Sequence, residues 1–94
     1  MNARLLAALY VSGASMRITG YKRKDTEVEG LIEMESIAIV ADAKKLKAIA
    51  FFLNSAAEEM EKIGSDFDHV HLMDKWSEWD ESYPDVQIVS TKYI

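Results

Sequence analysis

The sequence predicts an α+β fold. A mostly antiparallel four-stranded sheet, in the order β-β-α-β-β, is covered on one face by one long helix in a two-layer sandwich. Three observations predict it. Residues 43–63 repeat apolar side chains at helical spacing between Asp42 and Gly64. Alternating apolar and polar runs flank that segment on both sides, as half-buried strands do. The connections between neighbouring runs are short enough for hairpins, which join antiparallel strands.

Residues 2–11 fit two readings. Leu5, Leu6, Leu9 and Tyr10 share a helical face, yet the same run suits a buried strand. Arg4, the apolar run after it and Ser12-Gly13-Ala14-Ser15 faintly imitate a secretory signal, but one arginine makes a poor positive region. The segment is expected to remain in the mature chain as an N-terminal extension, residues 1–15, of a single domain spanning 1–94.

Residues 16–24 alternate, with Met16, Ile18 and Gly20 on one side and Arg17, Thr19 and Tyr21 on the other. A polar connection around 24–30 leads to a second strand over 31–40. Its second phase ends in Ile37 and Ile39, which predicts burial on both faces there. Asp42 is a good N-cap for the helix. Leu46, Ile49, Ala50, Leu53, Ala56, Ala57, Met60 and Ile63 fall on one stripe that should cover the sheet, and Gly64-Ser65 ends it. Residues 67–73 form the third strand, with Phe67, His69, His71 and Met73 on one face and Asp68, Val70 and Leu72 on the other. Residues 74–85 form a loop closed by Tyr83-Pro84-Asp85, and 86–90 form the last strand.

Composition narrows the function. The chain has 94 residues, is 49% hydrophobic and lacks cysteine, so it folds without disulfides or thiolate metal sites. That suits a reducing, cytoplasmic setting. Its net charge of −5 disfavours a phosphate backbone as partner and favours a basic one. No apolar run reaches membrane-spanning length. A glycine-flanked nucleophile, a phosphate-cradling loop and a dinucleotide fingerprint are all missing, and no cofactor is expected.

Two stretches carry candidate chemistry. His69 and His71 place two imidazoles side by side on a strand. A metal site there needs a further donor, which Asp74, Glu33 or Glu35 could supply. The bland alternative is a packed histidine pair bonded to backbone or carboxylate. The loop residues Trp76, Glu78, Trp79, Asp80, Glu81 and Tyr83 mix aromatics with acids, which suits recognition of a basic protein surface. Trp76 should be partly core and Trp79 the freer ring. The helix is charged against its macrodipole, with Lys44, Lys45 and Lys47 early and Glu58, Glu59 and Glu61 late. Phe51 projects away from the apolar stripe. An antiparallel homodimer about Phe51 would set Lys44 against Glu58 of a second copy, although an exposed phenylalanine alone needs no partner.

The run His69-Val70-His71-Leu72-Met73-Asp74 with Trp76, preceded by a helix and followed by Asp85-Val86-Gln87-Ile88-Val89, resembles the immunity protein 32 family of bacterial polymorphic toxin systems. The resemblance covers roughly residues 16–92. It implies a small α+β, non-enzymatic protein that neutralises a toxin by direct binding. Family members often carry Gly-Gly after the tryptophan, where this chain has Ser77-Glu78. The first reading is therefore a toxin-binding immunity protein whose acidic aromatic loop anchors on a basic toxin domain, such as a nuclease. The second is a metal-binding protein or metal-dependent enzyme centred on His69 and His71. The third is a homo-oligomeric structural or regulatory module working through Phe51 and an exposed sheet face.

Overall fold

The structure, a computed structural model, describes residues 15–94. The readings placed on residues 1–14 lie outside the described residues. The chain divides into two compact units, residues 1–41 and 42–94, each an entity of its own here.

In the first unit, β1 (Arg17–Lys22) pairs antiparallel with β2 (Met34–Val40). Ile18 faces Ile39 and Gly20 faces Ile37, so these four share one side of the ribbon. Gly20 is required by packing. A Cβ there would lie 2.3 Å from the Ser36 carbonyl oxygen and 2.6 Å from the Met34 methyl carbon. The register shifts between Tyr21 and Lys22. The connection is closed by the Arg23–Glu33 ion pair at 3.1 Å and by paired Val28 and Leu31 backbone groups. Between that last pair, Glu29 and Gly30 both have positive φ (52° and 86°), as a two-residue type I′ turn demands. The expected burial of β2 on both faces is corrected: Ile37, Ile39 and Val40 are exposed. The physical reason is that two strands make one layer, and a two-stranded ribbon has no second layer of its own to bury either face.

The second unit opens with the helix α1 (Ala43–Ile63), on the limits expected. Asp42 caps it by accepting the Lys45 N–H at 2.9 Å, and Gly64, at φ 59°, ends it with its N–H donating to the Met60 carbonyl. The buried stripe differs from the expected one. Lys45, Ile49, Phe52 and Ala56 are buried, while Leu46, Leu53 and Ile63 are exposed. The buried face is turned by about one position from the expected stripe and takes in Lys45. In the fold its alkyl stem is covered while its ammonium reaches Asp42 Oδ2 at 2.9 Å. The same contact offsets part of the unfavourable charge order along α1, and Lys44 is engaged by Glu78 at 3.4 Å.

After a 3₁₀ turn (Gly64–Asp66) comes β3 (His69–His71), which pairs antiparallel with β4 (Gln87–Val89). His69 lies opposite Val89, Val70 opposite Ile88 and His71 opposite Gln87. The described elements are thus two two-stranded antiparallel sheets and one long helix, an α+β mix. β3 stops early because the chain coils into the short helix α2 (Leu72–Lys75), where the Trp76 N–H donates to the Leu72 carbonyl at 3.0 Å. The third strand was expected to run on to Met73. Instead the Met73 N–H is taken by Asp85 Oδ1 at 3.0 Å, which satisfies a first-turn donor of α2 and favours the turn over further strand pairing. Phe67 and Leu72, with Ile49, Phe52 and Ala56 of α1, are the buried apolar residues of this unit. Among the described residues no buried side-chain nitrogen or oxygen lacks a partner.

Candidate functional site

Two groups of residues in the second unit stand out, the histidine strand and the aromatic loop beside α1. On β3 the side chains two residues apart project to the same side, which brings the His69 and His71 rings to 4.9 Å between centroids, at 76° to one another. Each ring has its own carboxylate. His69 Nδ1 lies 2.6 Å from Asp68 Oδ2, and His71 Nδ1 lies 2.5 Å from Asp85 Oδ2. Asp68 also accepts from the Tyr93 hydroxyl and pairs with Lys92 at 3.4 Å. The Tyr93 and His69 hydrogen bonds hold the Asp68 carboxyl down at about 2, and the same bond raises the Tyr93 phenol. Partial burial pushes the Asp85 carboxyl up, but the hydrogen bonds from His71 and the Met73 N–H outweigh it and leave the group below its ordinary value.

A pH dependence follows from Asp68. Its folded pKa is depressed from 3.8 to about 2, so the folded state gains from its ionised form above about pH 4. That gain fades as pH falls from about 4 towards 2. Asp68→Asn is therefore expected to flatten the stability profile in that window. Urea midpoints for wild type and variant, measured at steps of pH, check it. Profiles of equal slope would contradict the assignment.

The sequence pointed to the histidines but not to their partners. Asp85 follows Pro84 two positions before Gln87, the register partner of His71, and only that pairing reveals it. Asp74 is exposed on α2, and among the described residues no group of three or more His, Cys, Asp or Glu is placed to hold a metal ion.

The loop after α2 is braced from within. Trp76 and Tyr83 stack with centroids 5.7 Å apart and planes 23° apart. The Trp79 indole N–H donates to the Pro84 carbonyl at 3.2 Å, so Trp79 is pinned and half-buried rather than the freer ring. Asp80 accepts from the Ser82 hydroxyl and from its N–H at 2.9 Å, which together hold the Asp80 carboxyl below its ordinary value. Asp80 therefore shapes the loop, and it is exposed along with Glu78 and Glu81.

Phe51 joins this loop. A cleft of about 330 Å³ is lined by Ala48, Phe51, Phe52 and Ser55 of α1 and by Lys75, Trp76 and Ser77. Phe51 is 74% exposed at its mouth, and the Lys44–Glu78 pair lies on the same helix-to-loop side. Two features that looked unrelated along the sequence, a stray helical phenylalanine and an aromatic loop, form one surface. Ala48 and Ser55 gave no signal of their own. They enter because they lie one turn before and one turn after Phe51 and Phe52 on α1. Glu58 lies outside this cleft lining.

Fold and site together describe a small α+β protein whose aromatic and acidic surface is formed by a braced loop against a helix. A family model described as Immunity protein 32 matches residues 36–91, more than half of the chain, and the chain belongs to that family. The match takes in most of β2 and nearly all of the second unit, including both histidines and Trp76. No curated protein and no solved structure matches the chain. The family is one of toxin-neutralising immunity proteins, generally without enzymatic activity, and it implies a protein partner. No helix among the described residues is long and apolar enough to cross a membrane.

Proposed function

We propose that this protein neutralises its toxin by direct contact, docking the cleft of Phe51, Trp76 and Ser77 and the adjoining acidic loop onto a basic toxin surface. The observation that carries the reading is the exposed Phe51 beside a stacked, half-buried Trp76. Aromatic anchors held rigid before binding lose little conformational freedom when the partner arrives. Trp79 and Tyr83 serve as the frame of the loop, and Asp80 fixes its turn. Glu78 and Glu81 supply the field that draws in a basic partner. The chain's net charge of −5 acts in the same direction, and a nuclease toxin with a basic substrate groove would fit it. The protein works in the cytoplasm by occlusion, with no chemistry of its own.

A homodimer about Phe51 is less favoured, because Lys44 already has Glu78 of its own chain as partner rather than Glu58 of a second copy. The test of the docking surface is kinetic. The double variant Glu78→Lys/Glu81→Lys is expected to slow association with the cognate toxin by about ten-fold or more at low salt, with the deficit shrinking as salt rises. Unchanged association at every ionic strength would remove the loop from the interface.

A further inference from the structure

The toxin-binding surface leaves both histidines unused. They share one side of β3, with rings 4.9 Å apart, and each has a carboxylate at Nδ1. The two contacts are at hydrogen-bond distance, 2.6 Å from Asp68 to His69 and 2.5 Å from Asp85 to His71. A carboxylate oxygen accepts, so each contact favours the tautomer with its hydrogen on Nδ1. That tautomer leaves Nε2 as the ring's donor atom, and a carboxylate on the far nitrogen is the usual companion of a metal-ligating histidine. Two imidazoles sharing one ion, with N–metal distances of about 2.0–2.1 Å, have centroids about 5 Å apart. The observed separation meets that requirement. The side chains of His69 and His71 are 43% and 24% exposed, so an ion can reach them from solution.

We propose that His69 and His71 form a two-imidazole site for a divalent ion of the zinc, nickel or copper class, bound through their Nε2 atoms and oriented by Asp68 and Asp85. Imidazole donors select these ions over magnesium or calcium, which take oxygen ligands. With no third protein ligand among the described residues, water completes the coordination, and the site binds more weakly than a closed four-ligand structural centre. The site stands independently of toxin binding.

The test uses the full chain and zinc ion in a non-coordinating buffer. Native mass spectrometry and calorimetry report stoichiometry and affinity, while NMR follows the histidine ring nitrogens. The chain has two histidines and no cysteine, so an imidazole signal has no other origin. One equivalent of zinc is expected, shifting the Nε2 resonances of both rings while each Nδ1 stays protonated. His69→Gln and His71→Gln should each weaken binding about ten-fold or more, and Asp85→Asn by about 10–100-fold through the lost support of His71. Circular dichroism verifies that each variant is folded, and the wild-type ring signals require no variant. No stoichiometric zinc in large molar excess, shifts confined to one ring, or zinc retained by the double glutamine variant would each overturn the proposal.

Discussion

Leu72→Ala is expected to lower the stability of the protein by about 3 kcal/mol, the middle of the range for deleting a buried leucine side chain. Leu72 is fully buried, at 0% exposure. It also stands where β3 gives way to α2. Its N–H donates to the Val86 carbonyl at 2.8 Å, and its own carbonyl accepts from Trp76. The cavity therefore opens next to the hydrogen bonds that place the aromatic loop. Met73→Ala, one residue on and 43% exposed, should cost less than about 1 kcal/mol. Urea denaturation of both variants against wild type measures the difference. Equal losses for the two would show that Leu72 is not the centre of this core.

The second large effect concerns binding. Phe51→Glu is expected to weaken toxin binding by about 100-fold while leaving stability within about 0.5 kcal/mol of wild type. The 74% exposure of Phe51 means that little native packing is lost in the free protein. In the complex, the ring would be the apolar anchor covered by the partner beside Trp76. A carboxylate in its place would have to be desolvated without a partner, which is the costlier part of the substitution. A hundred-fold loss corresponds to about 2.8 kcal/mol, within the range of a hot-spot residue.

The legible parts of this fold were those fixed by local chemistry. Asp42 and Gly64 bracket α1 because capping depends on a few neighbouring atoms, and both ends fell where expected. The pairing of strands before and after the helix was legible from alternation and short connections. The buried face of α1 was not. A lysine counts as polar in any periodicity, yet Lys45, with its ammonium on Asp42, is buried in the stripe while Leu46 is exposed. The end of β3 was missed for a related reason. The residues 67–73 alternate well, but a side chain twelve positions away, Asp85, accepts the Met73 N–H and favours a helical turn.

The candidate site was legible by residue type and opaque by partnership. The histidines, the tryptophans and Phe51 were all visible as unusual residues, because aromatic and imidazole groups are few in a short chain. What joins Phe51 to Trp76, and each histidine to its own aspartate, is tertiary. Asp80, expected as a contact residue, has an internal role as well, since it accepts from Ser82 within the loop.

The most direct measurement is titration calorimetry of the cognate toxin into wild-type protein and into Phe51→Glu, both verified as folded. A tight one-to-one complex with wild type, weakened about 100-fold by the substitution, is the result expected of a docking surface built on Phe51 and Trp76. Equal affinities for the two proteins would contradict it and move the interface elsewhere on the molecule.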